Sequence, residues 1–308
     1  MSAIEISGLR KTYGDIVAVD GLSFEVAEGE VYGLLGHNGA GKSTTIEILE
    51  GHRERTSGSV SVLGLDPATG GRELRDRIGI VLQSSGTDVE LTVRETIELY
   101  GSAYRRRRTV DEVLDLVGLD EKADARVASL SGGQKRRLDL GLGIVGCPEL
   151  LFLDEPTTGF DPAARRRSWE MIQGLCSLGT TVVLTTHYLD EAEHLADRVG
   201  VMARGKMVAE GTPAELMSAS PTTTISFELP DGVDPDALLV PADTVFGEVG
   251  GVTTCVIETA EPTRVLAEVM GAASARGHEL TGISVRRPSL EDVFLGFAGE
   301  RDEEVSEP

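Results

Sequence analysis

The chain has little of what marks secreted, membrane-spanning or zinc-binding proteins. Its 308 residues include only three cysteines, Cys147, Cys176 and Cys255. They are widely separated and odd in number, so we expect reduced, mostly buried thiols rather than disulfides or a zinc site. The longest apolar runs, such as 150–153, fall far short of the roughly 20 residues that cross a bilayer. The first residues also lack the basic and apolar segments of a secretory signal, so a cytoplasmic location is expected.

Basic charge is also scarce. The formal net charge is −22 at pH 7, which argues against a nucleic-acid partner because phosphate binding depends on basic surface. The one basic cluster is the run of four arginines at 105–108. It has no interleaved aromatic residues, so it is predicted to be a solvated loop or a docking patch rather than an RNA site.

The first two thirds of the chain alternate short apolar runs with helical segments, the pattern of parallel strands joined by crossover helices. Buried strands are predicted at 31–35, 78–82, 150–153 and 182–184. Helix starts are marked by capping boxes beginning at Thr92 and Ser131, and by Asp161 followed by proline. Residues 90–146 are mainly helical. This part is therefore predicted to be an α/β domain, residues 1–220, that contains a helical subdomain.

The composition changes near residues 218–221, where a second region begins. Strand-like segments at 222–229, 252–259 and 282–286 surround a helical segment at 262–276. We interpret residues 221–298 as a small C-terminal α+β domain. The last residues, 299–308, contain five acids and one base, so a disordered acidic tail is predicted.

Residues 36–43, GHNGAGKS, match the phosphate-binding pattern G-x-x-x-x-G-K-[ST]. A predicted strand precedes the segment and a helix follows it, which a chance glycine-rich turn would not require. The glycines let backbone N–H groups approach phosphates, and the helix N-terminus favours anions. Lys42 is predicted to reach the β- and γ-phosphates, and Ser43 to ligate Mg²⁺.

Two acidic residues, Asp154 and Glu155, follow an apolar strand. Solvated acids are common at strand ends, but a phosphate-binding loop needs both a carboxylate near the metal and a group that activates water. Asp154 is the candidate for the first role and Glu155 for the second. Adjacent strand residues point to opposite sides, so the two share a site only if the backbone turns after Asp154. Pro156 favours such a turn.

The sequence LSGGQ at 130–134, at the start of a predicted helix and upstream of the acidic strand, resembles the signature motif of the ABC (ATP-binding cassette) ATPase family. Other matches follow in the family's order over residues 4–216. Tyr13 resembles the adenine-stacking aromatic, Gln83 the glutamine loop, and His187 the switch histidine. Residues 159–162 resemble the loop that communicates across the dimer. His37 and Phe160 depart from the usual proline and leucine without removing a chemical group, so ATPase activity is expected.

The resemblance implies an ABC-type P-loop NTPase domain that hydrolyses ATP with Mg²⁺. The implied catalytic residues are Glu155, His187 and Gln83, and the implied metal ligands are Ser43, Gln83 and Asp154. The implied nucleotide contacts are Tyr13, Gly36, Asn38, Gly39, Ala40, Gly41, Lys42, Ser43, Thr44, Ser131, Gly132, Gly133 and Gln134. Each match also has a simpler interpretation. Tyr13, at a predicted strand end, can be ordinary half-buried packing, Gln83 a surface residue, His187 a core histidine, and Ser131 with Gln134 only a helix cap.

The family resemblance also implies partners. The signature of one copy would hold ATP bound to a second copy, giving a two-fold dimer with two nucleotides in its interface. The helical subdomain and the segment after Gln83 would dock on a separate membrane-embedded permease. We therefore expect a peripheral protein at the cytoplasmic face of the membrane.

The C-terminal region narrows the subtype. Residues 283–295, together with 131–140 and 185–198, resemble the daunorubicin/doxorubicin-resistance type of ABC exporter ATPase. This implies export of a drug, an antibiotic or another hydrophobic compound. The alternative is an accessory fold of unrelated use, in which the segment forms a capped amphipathic helix with Val293, Phe294 and Phe297 toward a core.

Three other functions share parts of this pattern. An ABC importer subunit has the same ATPase core and is the strongest alternative. A translation-associated ABC factor normally carries two cassettes, whereas this chain has one phosphate-binding loop and one signature. A DNA-repair ATPase would contain long coiled coils or zinc clusters, which the sequence lacks.

Overall fold

The computed structural model describes residues 1–81, 90–157, 160–186, 188–219, 223–229, 233, 235–242, 244–249, 252–286 and 290. It divides the chain into two compact units, Met1–Pro213 and Ala214–Pro308. The strands are β1 (Ser2–Tyr13), β2 (Ile16–Ala27), β3 (Val31–Gly36), β4 (Ser57–Val62), β5 (Ile78–Val81), β6 (Leu150–Asp154), β7 (Thr181–Thr186), β8 (Arg198–Ala203), β9 (Lys206–Gly211), β10 (Thr223–Glu228), β11 (Val245–Val249), β12 (Val252–Thr259) and β13 (Thr281–Arg286).

The helices alternate with these strands in the first unit and are fewer in the second. They are α1 (Lys42–Leu49), α2 (Gly71–Arg75), α3 (Val93–Gly101), α4 (Val110–Val117), α5 (Gly132–Ile144), α6 (Pro162–Ser177), α7 (Leu189–Leu195), α8 (Pro213–Ala219) and α9 (Pro262–Ala275). No helix in these ranges combines the length and the apolar character needed to span a bilayer.

Within the described residues, a sheet of six strands in the order β5-β6-β7-β3-β8-β9 forms the centre of the first unit. The strands from β5 to β8 run parallel, and only β9 pairs antiparallel, with β8. Every residue of β3 and β7 is buried, and the apolar runs within them are typical of parallel strands covered on both faces. The four predicted strands are thus confirmed as β3, β5, β6 and β7, with bounds shifted by a few residues. Leu82, at the predicted end of one of them, lies outside the described residues.

The two faces of this sheet carry different cores. Leu151 and Leu153 of β6 pack on one face with residues of α3 to α6. Leu150 and Phe152 of the same strand pack on the other face with α1 and with β1, β2 and β4. Because successive strand residues alternate between faces, one short apolar run supplies both cores and holds the sheet between two layers.

A second, antiparallel sheet in the order β2-β1-β4 lies on the α1 side. Apart from a strand end at Tyr13, its strands were not predicted. Their register is interrupted by several bulges, between Ile6 and Leu9 among others, which breaks the strict alternation expected of a half-buried strand. Tyr13, predicted to end a strand, is the last residue of β1.

The predicted helix caps are present. Thr92 caps α3 and Ser131 caps α5, each in a complete capping box, and the Asp161 carboxylate accepts hydrogen bonds at the start of α6. A further capping box, at Thr109, starts α4. These caps satisfy N–H groups that a helix start otherwise leaves without partners.

The second unit contains an antiparallel sheet in the order β11-β12-β10-β13. Ile225 and Phe227 of β10, Ile257 of β12, and Val265 and Val269 of α9 form its buried core. The predicted strands and helix of this region therefore exist, with small shifts in bounds. The predicted acidic tail 299–308 and the side chains at 293, 294 and 297 lie outside the described residues.

The three cysteines are unpaired. Cys255 is buried, and Cys147 and Cys176 are partly buried with most of their surface shielded, which agrees with the prediction of mostly buried thiols. Cys147 follows α5 with a left-handed backbone, at φ 51°, in a connection between elements where solvent reaches part of the side chain.

Candidate active site

Three neighbouring strands, β6, β7 and β3, end at the same edge of the parallel sheet. Residues 36–43 follow β3, Asp154 and Glu155 lie at and after the end of β6, and Thr185 and Thr186 end β7. The carboxyl edge of a parallel sheet is where α/β proteins bind ligands. The topology therefore brings the phosphate-binding loop and the acidic pair to one edge.

Two glycines of the loop are required by the chain's own packing. A Cβ atom on Gly36 would lie 2.6 Å from the carbonyl oxygen of Met202, and one on Gly41 would lie 2.5 Å from that of Ala18. Gly41 also has φ 103°, which L-residues rarely adopt. The loop thus keeps its shape only with glycine at these positions.

Gly41 is the N-cap of α1 and has no side chain to accept hydrogen bonds from the first turn. The amide groups at the start of α1 are therefore available to an anion, and the helix dipole favours negative charge there. The predicted contacts differ in exposure. Ala40 and Lys42 are buried, Thr44 is half-buried, and the exposed residues are Asn38, Gly39 and Ser43.

The Lys42 side chain folds back onto the loop. Its Nζ donates to the carbonyl oxygens of Gly36 at 2.7 Å and His37 at 3.2 Å. Burial lowers the pKa of Lys42, and the carboxylates of Glu155 and Asp154 oppose this shift. Both acids therefore lie within electrostatic range of the ammonium group, and the lysine is held where phosphate oxygens can replace the carbonyls.

The acidic pair is separated by a backbone turn, as the sequence predicted. Asp154 ends β6, and one of its carboxylate oxygens accepts a hydrogen bond from the hydroxyl of Thr185 on β7. Glu155 has a left-handed backbone, with φ 46°. Its N–H donates to the carbonyl oxygen of Thr185 at 3.0 Å. The turn thus points the two successive carboxyl groups in directions that a continued strand would not allow.

Arg136 of α5 supports this turn. Its guanidinium donates to the carbonyl oxygens of Asp154 at 3.0 Å, Glu155 at 3.2 Å and Pro156 at 3.0 Å. Burial lowers the pKa of Arg136, while nearby acids, Asp139 first, oppose the shift. Sequence reasoning missed both Arg136 and Thr185. The only signal for Thr185 in the sequence is its place at the polar end of an otherwise apolar strand.

The signature segment caps α5. The Ser131 Oγ accepts from the Gln134 N–H at 3.3 Å, and the Ser131 N–H donates to the Gln134 Oε1 at 2.9 Å. A Cβ atom on Gly132 or Gly133 would meet no atom of the described chain within 4 Å. Unlike Gly36 and Gly41, these glycines are not required by contacts within the chain.

Tyr13 presents an exposed ring, with 40% of the residue's surface accessible. The Lys11 ammonium lies 4.9 Å from the ring centroid and the Arg53 guanidinium 5.3 Å from it. Across the turn, Tyr13 pairs in the strand register with Ile16, which is 70% exposed. This exposed aromatic surface suits stacking better than core packing, so the simpler interpretation of Tyr13 is less favoured here.

The other predicted site residues, Gln83, Gly159 and His187, lie outside the described residues. Their roles stay predictions. Phe160 is described, and its N–H donates to the Thr157 carbonyl oxygen at 3.1 Å.

Comparison with known families gives two matches that follow the division of the chain. Residues 19–158 match the family model described as ABC transporter. Residues 223–289 match the C-terminal domain of ABC transporter domain-containing protein-like sequences.

Two curated relatives are similar over nearly the whole chain. The Nod factor export ATP-binding protein I of Rhizobium sp. (strain N33) is 41% identical over 318 residues, covering 98% of both chains. That of Rhizobium meliloti (strain 1021) is 40% identical over 304 residues, covering 96% of this chain and 88% of the relative.

Among solved structures, the chain is similar to a dimeric ATP-binding cassette in a post-hydrolysis state with ADP and Pi, with a TM-score of 0.61 and 25% identity. That match covers 68% of this chain and 98% of the other. It is also similar to cbiO1 from Clostridium perfringens, part of an ABC transporter complex, with a TM-score of 0.65 and 28% identity over 70% of this chain and 91% of that one.

Proposed function

The chain belongs to the family of ABC transporter ATP-binding subunits, which are ATPases, and we propose that it powers the export of a hydrophobic compound through a separate membrane subunit. The observation that carries the direction of transport is the similarity to export proteins over 98% of both chains. It includes the region beyond the cassette, where residues 283–295 resemble the daunorubicin/doxorubicin type. A drug, an antibiotic or another hydrophobic compound is therefore the proposed cargo.

For hydrolysis, the phosphates of ATP are proposed to lie on the first-turn amides of α1, with Lys42 exchanging loop carbonyls for phosphate oxygens. Glu155 is proposed to activate the attacking water, because its carboxylate lies within electrostatic range of Lys42 and follows the sharp turn after β6. Tyr13 would stack on the adenine. Gln83 and His187 complete the proposed set.

The donor set fits a magnesium ion. Mg²⁺ prefers oxygen ligands, and the exposed Ser43 hydroxyl lies at the start of α1 on the same sheet edge as Asp154. Thr185 fixes one carboxylate oxygen of Asp154 and leaves the other for an ion, with Gln83 as the third proposed ligand. The ion, when bound, would neutralise charge on the phosphates.

The glycines of the signature support a composite site. Gly132 and Gly133 leave open space where a side chain would meet nothing in the described chain, next to the α5 N-terminus that favours anions. We propose that this surface receives the γ-phosphate of ATP bound to a second copy of the chain. The ATP-bound state would then be a two-fold dimer docked on a permease at the cytoplasmic face of the membrane.

The test uses the chain in complex with the membrane subunit that co-purifies with it. Glu155→Gln keeps the side-chain shape but removes the carboxylate, so ATP should still bind while ATP turnover nearly stops. The matched control is Glu149→Gln, at the other end of β6, where Glu149 pairs with Arg77. Turnover by Glu155→Gln at the wild-type rate would exclude Glu155 as the base.

The direction of transport is measured in proteoliposomes that hold the complex with this ATP-binding chain on the outside. Export predicts that ATP turnover rises with hydrophobic compounds supplied on the cassette side and that a transported compound accumulates in the lumen. The importer alternative predicts stimulation from the lumen only, and that result would refute export while leaving the ATPase assignment intact.

A further inference from the structure

Glu191, in the first turn of α7, is a fully buried carboxylate that the roles assigned above do not use. Its exposed fraction is 0%. Burial raises the pKa of Glu191, whereas the hydroxyls of Thr186 and Thr157 and the indole of Trp169 favour the ionised form. Burying a carboxylate is costly unless it is well partnered. The position therefore calls for a physical reason.

The partners of this carboxyl group come from three separate segments. Trp169, on α6, donates its Nε1–H to Oε1 at 3.3 Å. Thr186 is the last residue of β7 and directly precedes His187 in the sequence. Thr157 lies two residues after Glu155, and its exposed fraction is also 0%. One carboxyl group thus lies beside both chain segments that carry the predicted hydrolytic side chains.

Two atoms of this cluster make no hydrogen bond to the described residues, namely Oε2 of Glu191 and Oγ1 of Thr157. Buried polar atoms without a partner are rare and costly. Here an acceptor oxygen and a donor hydroxyl lie in the same buried cluster. The Thr157 hydroxyl lies near enough to the Glu191 carboxyl group to favour its ionised form, and a bond between the two atoms would satisfy both.

The same turn is also held by Arg136. Arg136 of α5 binds the carbonyl oxygens of residues 154–156, and the carboxylates of Asp139, Asp154 and Glu191 raise its pKa against the effect of burial. Arg165 of α6 adds a second positive charge that favours the ionised form of Glu191. The charge of Arg165 thus opposes the effect of burial on Glu191, and an ionised carboxylate is a strong hydrogen-bond acceptor.

We propose that Glu191 is a positioning residue for ATP hydrolysis. By accepting a hydrogen bond from Thr157, its carboxylate holds the turn that carries Glu155 against the end of β7. This inference rests on the proposed function, since it requires Glu155 to activate water. Glu191 is fully buried, so this role is indirect. It acts through Thr157 and the two peptide units that separate Thr157 from Glu155.

The test substitutes the donor, because that change is nearly isosteric. Thr157→Val removes the hydroxyl and should lower kcat of the membrane complex by between about ten- and a hundredfold, since small misplacement of a catalytic group has effects of this size. Thr157→Ser restores the hydroxyl and should recover most of the rate. Glu191→Gln keeps one acceptor oxygen, so its kcat should lie between those of Thr157→Val and Thr157→Ser. KM for ATP and the melting temperature should stay close to wild type in all three.

The matched control is Asp190→Asn, which changes the neighbouring residue on α7. The Asp190 side chain is 58% exposed and pairs with Arg165, so the kcat of Asp190→Asn should remain near that of the wild type. The double variant Thr157→Val/Glu191→Gln should be no slower than Thr157→Val alone, because both changes break one contact.

Several results would overturn the proposal. These are a wild-type kcat in Thr157→Val, or equal losses of kcat in Thr157→Val and Thr157→Ser. Fully additive effects on kcat in the double variant, or losses of kcat that only follow a lower melting temperature, would overturn it as well. Failure of the proposed function looks different. A wild-type complex without ATP turnover, or one that imports, contradicts that function directly, whereas the positioning role is decided by kcat ratios among variants that all bind ATP.

Discussion

Glu50, which directly follows α1, is expected to make the stability of the first unit depend on pH. Its side chain is only 3% exposed, and its Oε2 lies 3.3 Å from Nδ1 of His52. Burial raises the pKa of Glu50 from 4.5 to about 8, and the charges of Asp154 and Glu47 add to the shift. The folded chain therefore keeps this carboxyl protonated at neutral pH, while the unfolded chain does not.

The sign and size of the effect follow from this difference. Below pH 4.5 the carboxyl is protonated in both states, and its contribution to stability is fully present. As pH rises from 4.5 to about 8, only the unfolded state loses the proton, so each pH unit lowers the free energy of unfolding by about 1.4 kcal/mol. The full loss is at most about 5 kcal/mol, of which about 3 kcal/mol falls between roughly pH 5.5 and 7.5.

Glu50→Gln removes the titrating group while keeping the shape. Its stability relative to wild type should therefore rise by about 3 kcal/mol between roughly pH 5.5 and 7.5. The measurement is denaturant unfolding followed by fluorescence of Trp169, the single tryptophan of the chain, which lies in the same unit as Glu50. Glu98→Gln, which removes an exposed carboxyl on α3, controls for the loss of one charge. Parallel pH curves for wild type and Glu50→Gln would refute the reasoning.

Two further predictions concern the nucleotide site. Gly41→Ala places a Cβ atom 2.5 Å from the Ala18 carbonyl oxygen, so we expect a lower melting temperature and weaker binding of a fluorescent ATP analogue, whereas Gly133→Ala should melt like wild type. An unchanged affinity in Gly41→Ala would contradict the fit of the loop to phosphate. In the Glu155→Gln variant, ATP should increase the fraction of dimer measured by light scattering. Adding Ser131→Arg should abolish that increase. Dimerisation that survives Ser131→Arg would count against the composite site.

Much of the fold could be predicted because its signals are local. Thr92, Ser131 and Asp161 were identified as helix caps from spacing alone, and each cap is present. The apolar runs of β3, β6 and β7 were identified because parallel strands buried on both faces show unbroken hydrophobicity. The sheet of β1, β2 and β4 was missed because bulges and exposed polar residues interrupt the alternation that would have marked it.

The candidate site could be predicted only where one segment carries the information. The turn between Asp154 and Glu155 could be predicted because the two carboxyl groups and Pro156 lie within three consecutive residues. Thr185 and Arg136 could not be found in this way, because they reach the turn from positions 31 and 18 residues away from Asp154. Such partners depend on strand order and helix placement, which sequence spacing does not reveal.

These unpredicted partners explain how the turn at Glu155 is stable. A non-glycine residue with φ 46° costs on the order of 1–2 kcal/mol. Against this cost stand the bond from the Glu155 N–H to Thr185 and the three bonds from Arg136 to carbonyl oxygens, each contributing about 1 kcal/mol. The surrounding bonds therefore outweigh the strain. The backbone of Glu155 is fixed before any ligand binds, so its carboxylate is presented to the sheet edge at little further entropic cost.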